Sequence, residues 1–196
     1  MLPLLFPLVA GISLLGPVLA VGIYELSRRR EVGMPVSWVH AFSVLRAPSM
    51  FPIGIVAIIL FAIFIAWVAV AKILYLLTVG VADPPTVGVF VEQILDTPAG
   101  WTMVILGNLA GFLFAALVLV LTVVSVPMLL DRNVSPFLAL QTSIRAVRLN
   151  PGPMSLWGLI VAAALLLGCL PLFIGLAVVM PVLGHATWHL YRKVVV

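Results

Sequence analysis

Long uncharged stretches alternate with short charged ones along this chain. The apolar stretches cover residues 1–24, 50–82, 101–130 and 154–190, and Lys72 is the one Lys, Arg, Asp or Glu inside them. A bilayer core about 30 Å thick needs about 20 apolar residues in a helix, because lipid offers no partner to backbone polar groups. The pattern therefore predicts an all-α fold, a polytopic bundle of membrane helices.

The last apolar stretch is too long for a single span. Residues 154–190 would extend ~55 Å as one helix, which exceeds ordinary tilt. A break at residues 168–171, Gly-Cys-Leu-Pro, divides the stretch into two short spans. We therefore predict a single membrane domain over residues 1–196 with five spans, at about 3–25, 50–79, 101–130, 153–170 and 171–191.

Charge orients this predicted bundle. With five spans, nine of the ten basic residues lie on one side and only Lys72 lies on the other. The nine are Arg28, Arg29, Arg30, Arg46, Arg132, Arg145, Arg148, Arg192 and Lys193. The positive-inside rule makes that side cytoplasmic. The formal charge is then +6 inside and −2 outside, which sums to the +4 of the chain, and the C-terminus is predicted to be cytoplasmic.

The two cytoplasmic connections resemble each other and suggest a parallel internal repeat. Val36-Ser37, Arg46-Ala47 and Met50 are echoed by Val134-Ser135, Arg145-Ala146 and Met154. Chance alignment of common residues is the alternative interpretation. Each connection predicts a short amphipathic helix in the membrane interface, at about 36–47 and 135–149, with Ser37 and Ser135 as N-caps and Pro136 in the first turn.

Each predicted interfacial helix has an apolar stripe and a basic face. The stripes are Trp38, Ala41, Phe42 and Leu45 in the first helix, and Phe137, Leu140, Ile144 and Val147 in the second. The basic residues expected to face cytoplasmic lipid phosphates are Arg28, Arg29, Arg30, Arg46, Arg145, Arg148, Arg192 and Lys193. A further short surface helix is predicted over residues 86–95.

The composition excludes a soluble enzyme. Hydrophobic residues make up 64% of the chain and charged residues 8%, against about 45–50% apolar and about 25% charged in a soluble domain. The single Cys169 excludes a disulfide framework or a cysteine-built metal cluster. The sequence carries no phosphate-binding glycine loop or nucleophilic-serine motif. We therefore expect no enzymatic activity, no cofactor and no nucleic-acid partner.

Small residues at four-residue spacing predict close helix packing. The pairs are Gly16 with Ala20, Gly107 with Gly111, and Ala164 with Gly168. Asn108, the deepest strongly polar side chain, is expected to hydrogen-bond a neighbour. The alternative is a small transporter or channel whose path between the repeats is lined by Asn108, Thr102 and Thr122. The predicted spans contain no carboxylate at mid-bilayer that could form a proton relay.

Three histidines form the only candidate metal site. His185 and His189 are one helical turn apart, so they present both rings on one face, and His40 is predicted on the same side of the membrane. No carboxylate or thiolate is spaced to complete the ligand set. The alternative is that His185 and His189, with Trp188, Tyr191 and Arg192, mark the place where a helix leaves the bilayer.

The first apolar stretch and its exit resemble a known bacterial family. Leu15-Gly16-Pro17 followed by residues 22–31 (GIYELSRRRE), and residues 181–192 (PVLGHATWHLYR), are similar to the predicted integral membrane proteins of domain of unknown function 2189. The resemblance implies a multi-pass inner-membrane protein without an established activity. Some members carry the label of cytochrome c oxidase subunits, but a haem and copper core needs more histidines than the three present. Family members commonly begin with a further leading span, whereas this sequence begins at Met1-Leu2-Pro3, and its N-terminus is predicted outside.

The leading functional hypothesis is a non-catalytic, multi-pass protein of the bacterial inner membrane. Its partners would be membrane lipids and other integral membrane subunits, in a respiratory or other energy-converting complex where it acts as an accessory or assembly subunit. The small-residue packing faces and the absence of embedded chemistry motivate this hypothesis. A transporter or channel, and a metal or cofactor carrier using His185 and His189, are the alternatives.

Overall fold

The chain folds into helices. The structure is a computed structural model that describes residues 2–80, 86–170 and 174–195. Helix accounts for 86% of it, and the described residues contain no strand, which confirms the all-α prediction. The α-helices are α1 (Leu5–Ile12), α2 (Gly16–Leu19), α3 (Val21–Glu31), α4 (Met50–Thr78), α5 (Val87–Leu95), α6 (Pro98–Thr122), α7 (Ser125–Asp131), α8 (Pro136–Leu149), α9 (Pro151–Cys169) and α10 (Leu176–Val195). The 3₁₀ helices in the described residues are Leu2–Leu4, Ser13–Leu15 and Trp38–Arg46.

Among the described residues, three helical stretches are long and apolar enough to cross a membrane. They are Met50–Thr78, Pro98–Asp131 and Pro151–Cys169, which match the second, third and fourth predicted spans. The middle stretch is interrupted between α6 and α7, where Pro127 cannot donate to the carbonyl of Val123 and its ring crowds that carbonyl.

The first predicted span, residues 3–25, is not one regular helix. Helical turns run from Leu2 to Glu31, but the 3₁₀ turn Ser13–Leu15 and a turn at Ala20 interrupt them. Pro17 accounts for the first interruption, because a proline ring clashes with the carbonyl four residues earlier, here that of Ser13. Pro17 is visible in the sequence, but the uniformly apolar residues around it favour one continuous span.

The fourth apolar stretch is broken where the sequence predicts. Helix α9 ends at Cys169 and α10 begins at Leu176; Pro171 lies outside the described residues. The two helices pack closely at Gly168, where an added Cβ would lie 2.8 Å from Cδ2 of Leu176. A side chain at this contact would force Leu176 to shift, so the close packing favours glycine.

The chain divides into two compact units. The first comprises residues 1–15 and 59–118, and the second residues 16–58 and 119–196. In the first unit, Trp67 is buried, its Nε1 donates to the carbonyl of Pro7 at 2.8 Å, and its ring packs on Phe114 with centroids 5.7 Å apart. In the second unit, α3 packs against the 3₁₀ helix Trp38–Arg46, α7 and α10.

The predicted interfacial helices differ from each other. The first is the 3₁₀ helix Trp38–Arg46, and the second is α8, which begins as predicted: Pro136 lies in its first turn and Oγ of Ser135 accepts the N–H of Leu138 at 3.3 Å. The short surface helix predicted at residues 86–95 is α5, and Oγ1 of Thr86 accepts from the N–H of Val89.

The buried face of α8 is not the predicted apolar stripe. Ala139, Ser143 and Ala146 are buried, whereas Phe137 is exposed. Leu140, Ile144 and Val147 of the apolar stripe are half-buried. Small residues let helix backbones approach closely, so the small-residue face of α8 makes its tightest contact with the chain.

Ser143 also hydrogen-bonds two backbone groups at the break between α6 and α7. Its Oγ donates to the carbonyl of Val120 at 2.8 Å and accepts the N–H of Val124 at 3.2 Å. Both backbone groups would otherwise be buried without a partner, which costs about 1–3 kcal/mol for each. Ser143, on the buried face of α8, therefore stabilises the break between α6 and α7.

Candidate functional site

A network of charged and polar side chains joins the C-terminal ends of α3, α7 and α10 in the second unit. On α3, Glu25 is only 4% exposed. Its carboxylate accepts from Nε and Nη2 of Arg28, at 2.8 and 3.0 Å, and from Nε of Arg29 at 2.8 Å. The contact with Arg28 is bidentate, the strongest arrangement for a guanidinium and a carboxylate. This hydrogen bonding by Glu25 raises the pKa of the Arg28 guanidinium.

Arg29 connects this cluster to the 3₁₀ helix Trp38–Arg46. Its Nη2 donates to Oγ of Ser43 at 3.4 Å, and that hydroxyl donates to the carbonyl of His40 at 2.6 Å. The position of the 3₁₀ helix on α3 is fixed further by Gly22, because an added Cβ there would lie 3.0 Å from the carbonyl oxygen of Ala41.

Glu31 joins the end of α3 to α10. Its Oε2 accepts from Nε1 of Trp188 at 3.0 Å and lies 3.3 Å from Nε of Arg192. Trp188 is fully buried, so its indole N–H needs an acceptor within the protein, and Glu31 provides it.

Asp131 joins the end of α7 to the same part of α10. Its Oδ2 accepts from the hydroxyl of Tyr191 at 2.7 Å and lies 3.4 Å from Nη1 of Arg192. Nε of Arg132 lies 3.8 Å from the same oxygen. Arg192 thus bridges Glu31 and Asp131, and one guanidinium ties the ends of three helices together.

A second contact between α3 and α10 pairs Ser27 with His185. Oγ of Ser27 lies 2.6 Å from Nδ1 of His185 and donates to the carbonyl of Ile23 at 3.0 Å. The tautomer of His185 determines which of the two side chains donates in this contact. Ser27 is 3% exposed, so its hydroxyl is closed to an external substrate and the pair serves packing.

A cleft of about 460 Å³ opens beside Glu25. Its charged lining residues are Glu25, Arg28, Arg29, Asp131 and Arg132, and its polar ones are Ser43, Ser49 and Asn133. Apolar residues, among them Pro52 and Leu130, complete the wall. Within the described residues, every buried side-chain nitrogen or oxygen has a hydrogen-bond partner. The arrangement is therefore a saturated structural network with a polar cleft beside it.

The three candidate metal ligands are engaged in other contacts or exposed. Nδ1 of His40 accepts from the N–H of Ser37 at 3.1 Å, Nδ1 of His185 pairs with Ser27, and His189 is exposed. Across the described part of the chain, no group of three His, Cys, Asp or Glu side chains is placed to hold a metal ion. The predicted site with His40, His185 and His189 is thus not brought together.

The predicted packing positions fall into two groups. Ala20 and Gly168 are buried, and Gly111 lies under the ring of Trp67, 3.3 Å from where a Cβ would stand. By contrast, added Cβ atoms at Gly16 and Gly107 would meet nothing within 4 Å, and Ala164 is half-buried.

Asn108 and Thr102, proposed as pathway residues, each hydrogen-bond their own helix. Nδ2 of Asn108 donates to the carbonyl of Val104 at 2.8 Å, and Oγ1 of Thr102 donates to that of Pro98 at 2.8 Å. Both residues are exposed, and Thr122 is buried in the second unit.

The basic residues predicted to face lipid also fall into two groups, exposed and ion-paired. Arg30, Arg46, Arg145, Arg148 and Lys193 are exposed, consistent with the predicted lipid-facing role. The other three predicted to face lipid, Arg28, Arg29 and Arg192, pair with carboxylates instead.

Sequence reasoning missed the carboxylates and the aromatic donors of the network. Glu25 precedes Arg28 and Arg29 by three and four residues, a spacing that signals helical ion pairs. The bond from Tyr191 to Asp131 spans 60 residues and has no local signal. Trp188 and Tyr191 were interpreted as interface anchors, but both are fully buried.

Apolar helices of membrane-crossing length and a polar network at their ends define a helical integral membrane protein. The profile of the predicted integral membrane protein family DUF2189 matches residues 5–131, more than half of the chain, and this protein belongs to that family. The match contains Leu15-Gly16-Pro17 and residues 22–31, and it ends before residues 181–192. The chain has no match among curated proteins or among solved structures.

Proposed function

We propose that this protein is a non-catalytic, multi-pass subunit of the bacterial inner membrane. It packs beside other membrane subunits as an accessory or assembly component, for example of a respiratory or other energy-converting complex. One observation carries the proposal: the carboxylates of the polar network are paired within the chain, while the long helices leave most of their apolar surface uncovered. Within the hydrophobic windows, only 22% of α4 and 11% of α9 are buried by the chain itself.

A five-span topology with a cytoplasmic C-terminus is part of this proposal, and the helix-end network supports it. Glu31, Asp131 and Arg192 are in contact, so their helix ends belong on one side of the membrane. Two crossings, by α4 and by the α6–α7 stretch, separate Glu31 from Asp131. The contact between Asp131 and Arg192 requires an even number of crossings between them, which supports α9 and α10 as the fourth and fifth spans.

The uncovered surface of α9 is the best candidate for a partner contact. Leu159 and Leu166 are 63% and 70% exposed, and they are seven residues apart, so they share one face of the helix. Association of helices in lipid depends on shape and close packing, because lipid tails are as apolar as leucine. A partner helix would therefore contact a stripe of α9, whereas lipid would surround the helix evenly.

A photocrosslinking scan tests this difference. A photoreactive phenylalanine analogue is placed singly at exposed positions of α9 between Leu156 and Leu167 in cells, and adducts are separated by mass. Protein adducts that recur every three or four positions are expected for an accessory subunit. A scan with no protein adduct at any position, together with purification of the protein alone in mild detergent, would contradict the proposal.

A further inference from the structure

The cleft beside Glu25 holds more positive than negative charge. Arg28, Arg29 and Arg132 line it, against the two carboxylates of Glu25 and Asp131. The carboxylate of Asp131 is also occupied from outside the cleft by Tyr191 and Arg192. The lining thus carries a formal surplus of one positive charge, which favours an anionic ligand.

Two of these arginines are fixed before any ligand arrives. Glu25 holds Nε of both Arg28 and Arg29 at 2.8 Å, and Ser43 accepts from Nη2 of Arg29. A guanidinium has five N–H donors, so each side chain retains N–H donors beyond those used in these bonds. The side chains of Arg28 and Arg29 are 32% and 20% exposed, so a ligand can reach them. Such preorganisation lowers the entropic cost of binding.

Helix α4 begins at the cleft. Ala47, Pro48, Ser49 and Pro52 line it, and the first turn of α4 starts at Met50. The N-terminus of a helix carries a partial positive charge, which favours a phosphate group. The N–H groups of Met50 and Ile53 already donate to the carbonyls of Ala47 and Ser49, so the arginines are the main donors of this cleft. Because α4 is 29 residues long and its only charged residue, Lys72, lies near its far end, its start also lies near the boundary between the membrane and water.

We propose that this cleft binds the phosphate group of one anionic phospholipid. Planar guanidinium groups match phosphate oxygens in bidentate geometry. The apolar wall formed by Val44, Pro52 and Leu130 suits the hydrocarbon next to a headgroup and has no use in binding a free ion. The volume of about 460 Å³ is that of a small-molecule site and accommodates more than a phosphate ion. This inference is independent of the accessory role proposed above.

Arg132 offers a clean variant. Its side chain is 41% exposed and 3.8 Å from Asp131, which keeps Tyr191 and Arg192 as partners when Arg132 is changed. The substitution Arg132→Gln should therefore leave the melting temperature unchanged. Arg148→Gln removes the same charge from an exposed position of α8 outside the cleft, and it serves as the matched control.

The experiment titrates protein purified in an uncharged detergent with dioctanoyl phosphatidylglycerol. Dioctanoyl phosphatidylcholine and inorganic phosphate are titrated in parallel arms. We expect saturable binding of phosphatidylglycerol that Arg132→Gln weakens about tenfold, the loss of one charge-assisted hydrogen bond, while Arg148→Gln leaves the affinity unchanged. Phosphatidylcholine and inorganic phosphate are expected to bind much more weakly.

Several outcomes would overturn the proposal. If phosphatidylglycerol shows no saturable binding, the cleft is not a lipid site. If Arg132→Gln and Arg148→Gln weaken the lipid affinity equally, the attraction is diffuse and electrostatic. Inorganic phosphate that binds as tightly as the lipid assigns the cleft to a soluble ion. If Arg132→Gln lowers the melting temperature, Arg29→Lys decides: it keeps the charge opposite Glu25 but loses the planar fork, and an unchanged lipid affinity in that variant contradicts the proposal.

Discussion

The hydroxyl of Tyr191 is the most isolated test of the helix-end network. Tyr191→Phe removes one oxygen from a fully buried ring and leaves the ring in place. That hydroxyl donates to Asp131 at 2.7 Å, and a hydrogen bond to a charged group contributes about 1.5–3 kcal/mol. We expect the free energy of unfolding to fall by about 2 kcal/mol, which lowers the melting temperature of a chain of this size by about 4–8 °C.

Tyr24→Phe is the matched control for this measurement. Tyr24 is also buried, at 3% exposure, but it hydrogen-bonds the neutral side chain of Thr187, and such a bond contributes about 0.5–1.5 kcal/mol. The melting temperature of each variant is measured in the same mild detergent, from the fraction that stays monodisperse after heating.

Two results would refute the reasoning. If the melting temperature of Tyr191→Phe equals that of the wild type, or is no lower than that of Tyr24→Phe, the network does not stabilise the protein. In an Asp131→Asn background, Tyr191→Phe should lose about half of its effect, because a neutral acceptor replaces the charged one. Full additivity of the two substitutions would show that the hydroxyl and the carboxylate do not interact.

Two further predictions concern packing, and the same melting assay checks both. Ser143→Ala leaves two backbone groups unpaired at the break between α6 and α7, so it should destabilise the protein by about 2–6 kcal/mol. Thr142→Ala, on the half-buried side of α8, should cost less than about 0.5 kcal/mol, and equal effects would contradict the assigned role of Ser143. Gly184→Ala places a Cβ 2.7 Å from Cγ2 of Ile23 and should cost about 1–3 kcal/mol. Gly107→Ala meets nothing within 4 Å and should stabilise its helix by up to about 1 kcal/mol; a penalty at Gly107 as large as that at Gly184 would show that this face is covered.

Features set by local physics could be predicted from the sequence. The length of the last apolar stretch and its Gly and Pro residues located the break after α9. The cap at Ser135 with Pro136 located the start of α8. Each rests on interactions within a few residues of chain, where sequence spacing and spatial distance correspond.

Features set by contacts distant in sequence could not be predicted. The spacing of Glu25, Arg28 and Arg29 indicated an ion pair, but nothing near Asp131 indicates Tyr191 as its partner. The burial of Ala139, Ser143 and Ala146 in α8 also has no local signal. In water the larger apolar residues would be buried, whereas a helix in lipid buries whichever face fits its neighbour more closely.

The central claim is that the ends of α3, α7 and α10 lie on the cytoplasmic side of one membrane. The most direct test is cysteine labelling in intact cells, in a Cys169→Ser background, with single cysteines at Gly88, Asn133 and Lys193, which are all exposed. With a membrane-impermeant maleimide, we predict labelling of position 88 in intact cells, and of positions 133 and 193 only after permeabilisation. Labelling of 133 and 193 from opposite sides of the membrane would contradict the contact between Asp131 and Arg192, and with it the account of the fold.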